Sequence, residues 1–84
     1  MSNHGGSYML NDIIHLLNDE QVLDTIGLQK SQQVITKMVR IASKKYDCNA
    51  GEILDGHTER LNLCYYCLAS ATDIESGLCL KCQG

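Results

Sequence analysis

The sequence predicts a mainly α-helical fold, in which two or three N-terminal helices precede a small cysteine-rich module. Three observations predict this fold. Apolar residues recur at three- and four-residue steps from Tyr8 onward, the recurrence ends near Leu61, and two cysteine pairs follow. We therefore expect a flexible arm at residues 1–7, a helical region at residues 8–54 and a cysteine module at residues 55–84, joined in one compact unit.

The first predicted helix begins at Tyr8 and ends near Asn18 and Asp19. Its apolar residues are spaced to lie on one face of the helix: Met9, Leu10, Ile13, Ile14, Leu16 and Leu17. A shorter helical turn follows at residues 20–26. Gly27 is expected to end this turn, because glycine readily adopts the backbone conformation found just after a helix.

The longest helical pattern follows Gly27. Ser31 is expected to cap its N-terminus, since a serine hydroxyl accepts a hydrogen bond from a free helical amide. The predicted apolar face contains Val34, Ile35, Met38, Ile41, Ala42 and Tyr46. The pattern breaks at residues 47–51, and a bend is expected at Asp55-Gly56.

Size and composition limit the stability of the core. The chain has 84 residues, Phe and Trp are absent, and aromatic residues make up 5% of it. A core of this size stabilises weakly, so a metal ion, disulfides or a partner subunit are the usual supplements. We expect the reducing cytoplasm, because the N-terminus lacks the basic stretch of a secretory signal, and no membrane span, because apolar runs are short.

The cysteine pairs have the spacing of a metal site. Each pair has two residues between its cysteines, and eleven residues separate the pairs. Two such turns can bring four sulfurs to one point, and zinc prefers a tetrahedral set of this kind. The predicted ligands of one structural zinc ion are Cys64, Cys67, Cys79 and Cys82. A rubredoxin-like iron, an iron–sulfur cluster, disulfides and a redox-active pair remain alternatives.

With these motifs, residues 61–83 resemble the zinc-ribbon group. The resemblance implies zinc ligation by the same four cysteines. This sequence differs from the common zinc knuckle, which often has glycine after the second cysteine of a pair, because Leu68 and Gln83 stand there. A treble clef is not expected, because that fold needs a helix at the second pair and the sequence ends at Gly84.

Three other residues were weighed as ligands or as catalytic groups. Cys48 is expected to be a buried structural thiol and His15 a surface or boundary residue. His57 is expected in an exposed loop, with replacement of one cysteine as ligand as the alternative. No nucleophile–base pair and no phosphate-binding glycine loop is recognisable. Because a four-cysteine site also leaves no open coordination position, we do not expect an enzyme.

Charge divides sharply along the chain, whose formal net charge is -3. Residues 1–27 contain four acidic residues and no Lys or Arg, whereas residues 28–46 contain five basic residues and no acidic one: Lys30, Lys37, Arg40, Lys44 and Lys45. The two segments either complement each other on a solvated surface or leave a basic face for an acidic partner or DNA. Residues 20–40 resemble a helix-turn-helix in outline, but Gln33 and Thr36 stand where that motif has apolar residues.

These observations favour a small cytoplasmic regulatory adaptor that acts by protein–protein contacts. Small proteins that combine helices with a zinc ribbon often act by protein–protein contacts, for example on the transcription machinery. The adaptor role is inferred from this analogy. The candidate contact residues are Leu10, Ile13, Ile14, Leu17, Tyr65 and Tyr66. Exposed apolar residues also favour self-association. The alternative is a DNA-binding transcriptional regulator that uses the five basic residues of 30–45.

Overall fold

Helices dominate the computed structural model, which describes residues 3–83. The helices are α1 His4–Asp19, α2 Val22–Ile26, α3 Leu28–Lys45, α4 Ala50–Ile53, α5 Thr58–Leu61 and α6 Leu80–Gln83. Within these residues there is no β-strand, and two isolated β-bridges lie near the cysteine pairs. The predicted mainly helical fold with a C-terminal cysteine cluster is confirmed. None of the described helices is long and apolar enough to cross a membrane.

The first helix begins earlier than predicted, at His4 rather than Tyr8. The side chain of Asn3 explains this start, because its oxygen accepts a hydrogen bond of 2.9 Å from the amide of Gly6 and so caps the helix. The prediction of an arm at residues 4–7 was therefore wrong, while Met1 and Ser2 lie outside the described residues. The division into a region 8–54 and a module 55–84 stays a prediction.

Gly27 joins α2 to α3 by itself. Its φ of +88° lies in the region that favours glycine, and α3 begins at the next residue, Leu28, rather than at Ser31. Ser31 is buried inside α3, where its hydroxyl lies 2.7 Å from the carbonyl oxygen of Gly27 and 3.1 Å from that of Leu23. Ser31 thus holds α2 against α3 instead of capping a helix. A single linking glycine also differs from the three- or four-residue turn of a helix-turn-helix.

The hydrophobic core extends from the helices to the start of the cysteine module. Its buried residues are Ile14, Leu23, Ile35, Val39, Ala42, Cys48, Ile53, Leu54, Leu61 and Leu63. The buried face of α3 is rotated from the predicted one, because Ser31 and Val39 belong to it whereas Val34, Ile41 and Tyr46 are exposed. Cys48 is a buried thiol, as predicted.

Asn11 of α1 positions the segment that leads to the cysteines. Its side-chain amide donates to the carbonyl oxygens of Ile53 at 3.0 Å and Asp55 at 2.8 Å, and lies 3.3 Å from that of Glu52. These carbonyls stand at the end of α4, where a helix has no partners of its own for them. Asn11 therefore fixes the end of α4 on α1 and sets where α5 and the first cysteine pair begin.

Candidate metal centre

The first cysteine pair lies in a tight turn between Leu63 and Ser70, which form an antiparallel bridge. The amide of Cys64 donates to the carbonyl of Ala69 at 3.1 Å, and the amide of Leu68 donates back to the carbonyl of Cys64 at 2.8 Å. The chain can turn this sharply because Leu68 adopts a φ of +60°. This is the position where the common zinc knuckle has glycine.

The second pair follows a two-residue turn. Glu75 and Leu78 exchange both backbone hydrogen bonds, at 2.9 and 3.0 Å, and the residues between them, Ser76 and Gly77, both have positive φ. This is the geometry of a type I′ hairpin turn. The chain then passes through Cys79 into α6, so the second pair does stand at the start of a helix. The expectation that no helix would start at the second pair was wrong. That expectation was the reason for not predicting a treble clef.

Tyr65 connects the two turns and packs the module on the helices. Its amide donates to the carbonyl of Gly77 at 3.0 Å. Its ring is close to two glycines, because a Cβ atom added to Gly77 would lie 2.8 Å from one ring edge and a Cβ atom added to Gly51 of α4 would lie 3.2 Å from the other. Tyr65 is therefore partly buried between the second turn and α4, where it contacts the core.

The four predicted thiols converge on one point. Their sulfur atoms all lie within 4.8 Å of one another, and the Sγ atoms of Cys67 and Cys79 are 3.7 Å apart. A tetrahedron with Zn–S distances near 2.3 Å has edges of about 3.8 Å, so the cluster has the dimensions of a zinc site. All five cysteines are free thiols, which leaves the disulfide alternative without support. The four cysteines form a single zinc-binding site.

The protein environment favours one thiolate over the others. Burial opposes ionisation of Cys64, but backbone N–H groups of Cys67, Cys79 and Tyr66 outweigh it and lower its pKa to about 6. For Cys82, burial and hydrogen bonding to the neighbouring thiols raise the pKa to about 12. Neighbouring thiolates repel one another, so four of them need a cation at their centre. A divalent metal supplies that charge, and its binding releases the thiol protons.

The four cysteines of the site differ in their exposure to solvent. Cys64 and Cys79 are buried, Cys82 is half-buried and Cys67 is exposed at the surface. Four cysteine ligands fill the tetrahedral coordination of zinc and leave no position for a substrate. Leu63, which directly precedes Cys64, belongs to the helical core. The first metal ligand therefore directly follows a residue of the helical core, and we expect metal binding to affect helix packing.

His57 lies in the interior, which corrects the prediction of an exposed loop. Its side chain is 2% exposed, and its ring packs edge-on against that of His15 with 4.2 Å between the ring centroids. Its Nε2 atom has no hydrogen-bond partner in the described part of the chain. Neither His57 nor Cys48 belongs to the four-thiol cluster, so neither replaces one of the cysteines there.

The structure separates the predicted contact residues into two groups. Ile14 is fully buried, and Leu10, Leu17 and Tyr65 are partly buried against the core, so these four contribute to the packing of the fold. Ile13 and Tyr66 are exposed. The exposed apolar residues of α1 are Tyr8, Met9, Ile13 and Leu16. Periodicity alone did not single these out, because apolar residues stand on more than one side of α1.

The basic residues of α3 are all exposed. Within residues 3–83, Lys30, Lys37, Arg40, Lys44 and Lys45 form no ion pair, and the ion pair that the structure does contain joins His4 to Glu52 at 2.7 Å. Among the described residues, no direct ion pair therefore joins the acidic residues of α1 and α2 to this helix, and complementation of the two segments on a solvated surface stays a prediction. The positive charge of α3 remains available at the surface.

The chain shows limited similarity to known proteins. The chain is 31% identical over 67 residues to DNA-directed RNA polymerase I subunit 2 of Arabidopsis thaliana. The matched residues are 80% of this chain, whereas the match spans 6% of the polymerase subunit, so the similarity concerns a small part of that protein. No protein-family model matches the chain, and no solved structure matches it.

Proposed function

We propose that this protein is a small, non-catalytic regulatory adaptor that acts by protein–protein contacts on the transcription machinery. The observation that carries the proposal is the closed four-thiol site, which joins Leu63 of the core to the second turn and leaves no coordination position for chemistry. A rigid scaffold of this kind holds side chains in place for recognition. The similarity to an RNA polymerase subunit supports transcription as the setting.

The contact surface that we propose is the outward face of α1. Met9, Ile13 and Leu16 are exposed and lie at positions i, i+4 and i+7, so they form one apolar stripe. Asp12 and Glu20 are exposed next to it. An amphipathic helix with such a stripe typically inserts into an apolar groove of its partner. The acidic neighbours favour a groove with a basic rim.

Affinity capture from the cells that naturally express the protein tests this proposal. Zinc-loaded, tagged protein should retain subunits of the RNA polymerase of those cells, and Leu16→Gln should abolish the retention because it places a polar group in the apolar stripe. The matched control is Leu28→Gln on α3. Leu16 and Leu28 are 57% and 47% exposed, so both variants should fold equally well, and only the first lies on α1.

Three results would contradict the proposal. The first is the absence of polymerase subunits from the retained proteins. The second is equal retention by Leu16→Gln and the unsubstituted protein. The third is capture of the protein by itself alone, which would make the α1 stripe a contact between copies of this chain.

A further inference from the structure

The outer face of α3 faces the first cysteine turn across a basic cleft. Two adjoining hollows of about 360 and 250 Å³ lie between α3 and residues 63–70, and both are lined by Arg40 and Leu68. We call the pair the knuckle cleft. Lys37 lines the first hollow, and Lys44 and Tyr66 line the second. Among residues 3–83, no acidic residue lines either of them.

The cations of the cleft form a regular row. Lys37, Arg40 and Lys44 are spaced three and four residues apart in α3, so their side chains leave the helix on the same side. All three are exposed, and none forms an ion pair within the described residues. A row of exposed cationic side chains suits a ligand with regularly spaced negative charges, such as a phosphate backbone.

Tyr66 adds an aromatic surface to this row. Its side chain is 79% exposed, although it lies beside the rigid metal site and in the same hollow as Arg40 and Lys44. The neighbouring Tyr65 already packs the module against α4, so that contact does not need the ring of Tyr66. A basic groove that carries an exposed aromatic ring is the arrangement that binds unpaired bases by stacking.

We propose that the knuckle cleft binds single-stranded nucleic acid. The three cations contact successive phosphates, and the ring of Tyr66 stacks on a base. The amides of Gln29 and Gln33, which line the first hollow, face the same strand. A duplex keeps its bases stacked inside and offers none to the ring, so the cleft prefers single strands. This inference uses α3 and the first turn, and it does not rest on the adaptor role of α1.

The acidic net charge does not oppose such binding. Exposed charges farther apart than a Debye length, about 8–10 Å at physiological salt, are largely screened from one another. The acidic residues of α1 and α2 line neither hollow, whereas the three cations contact the ligand directly. Local charge therefore decides the interaction.

Fluorescence anisotropy with labelled oligonucleotides of about 12 nucleotides, within the usual site sizes, tests the proposal. Zinc-loaded full-length chain is titrated into single-stranded RNA, single-stranded DNA and a DNA duplex of the same sequence. The expected salt dependence for about three phosphate contacts is a slope near −2 in log K against log salt concentration. Affinity for single strands should therefore fall about 15-fold between about 50 and 200 mM salt.

Four variants locate the site. Tyr66→Ala should weaken binding about tenfold through lost stacking, while Tyr66→Phe keeps it. Arg40→Gln should weaken binding and reduce the salt slope by about 0.7. Lys45→Gln is the matched control, because it removes one charge from the same helix but lines neither hollow. All of these side chains are exposed, so zinc content and helicity should be unchanged.

Four results would overturn the proposal: no binding to single strands at low salt, tighter binding to the duplex, equal effects of Arg40→Gln and Lys45→Gln, or full binding by Tyr66→Ala. Poly-glutamate serves as a competitor. If it displaces the oligonucleotide as well as unlabelled nucleic acid does, the cleft is a site for acidic polypeptides instead.

Discussion

Leu68 occupies a backbone position that glycine usually fills. Its φ of +60° costs an L-residue with a side chain about 1–2 kcal/mol. Two contacts compensate for this cost. The amide of Leu68 donates to the carbonyl of Cys64, and its side chain packs partly buried against the core. The turn around the first cysteine pair is therefore held by tertiary packing rather than by local preference.

Substitution of Leu68 separates these two effects. Leu68→Ala should destabilise the protein, because it removes the packing and keeps the backbone strain. Leu68→Gly removes the same packing but relieves the strain, so it should be more stable than Leu68→Ala by about 0.5–1 kcal/mol. Urea unfolding of the zinc-loaded variants measures the difference. An alanine variant more stable than the glycine variant would show that the turn does not need the left-handed conformation.

His57 is the residue from which we expect a pH dependence of stability. Burial, and then the neighbouring His15, lower the pKa of His57. A hydrogen bond to the backbone of Asn11 opposes the shift, Arg60 reinforces it, and Asp55 opposes it more weakly. In the unfolded chain the pKa returns to its ordinary value near 6.5. The unfolded state therefore binds the proton more readily, and protonation favours unfolding. The stabilisation is complete above about pH 6.5 and is lost as pH falls below it.

The variant His57→Leu tests this dependence. Leucine has a similar size and does not titrate, so the free energy of unfolding should fall less steeply than in the unsubstituted protein between about pH 7.5 and 5.5. Acid also protonates the zinc ligands, but this contribution is common to both proteins and cancels in their difference. Parallel pH profiles would mean that His57 is protonated as easily in the folded protein as in the unfolded one.

At the scale of elements, the docking of the two cysteine turns depends on Gly77. This residue needs glycine for two reasons, because its φ is +84° and because the ring of Tyr65 occupies the space beside its Cα atom. Gly27 between α2 and α3 has a similar φ of +88° but open space around it. The two glycines therefore differ in steric surroundings and not in backbone conformation.

Substitution of each of these two glycines by alanine separates the effect of backbone strain from that of steric conflict. Gly27→Ala should cost about 1 kcal/mol, which is the strain alone. Gly77→Ala should cost more, since its Cβ atom would lie 2.8 Å from a carbon of the Tyr65 ring, and it should also change the near-ultraviolet circular dichroism of the tyrosines. Equal losses of stability, with an unchanged tyrosine signal, would show that Tyr65 does not hold the second turn.

Part of this arrangement could be predicted from sequence and part could not. The spacing of the cysteines identified the four sulfurs that cluster, because two short turns constrain each pair locally. Which apolar residues are buried could not be predicted as reliably as the metal ligands. Ile14 and Leu16 are both apolar residues of α1, yet one is buried and the other exposed, because α4 covers one side of the helix. The burial of His57 likewise depends on its contact with His15, far away in the sequence.

For the whole molecule, stability depends on a core that is small and continuous with the metal site. Aromatic residues are few, and Leu61 and Leu63, just before the first cysteine pair, belong to the same cluster as Ile14 and Ile35. Without a metal, four clustered thiols would contribute little to folding. With zinc bound, binding energy on the order of 10 kcal/mol enters the folding equilibrium. We therefore expect metal removal to loosen the helical packing as well as the cysteine turns.

The metal content of native protein, measured by elemental analysis together with thermal unfolding before and after chelation, tests this claim most directly. We expect one zinc per chain, a lower midpoint of unfolding after chelation, and recovery when zinc is restored. Cys64→Ala should lose the metal, whereas the matched variant Cys48→Ala should keep it, because Cys48 lies outside the cluster. Stoichiometric iron, absence of a bound metal, or an unchanged unfolding midpoint after chelation would contradict the account.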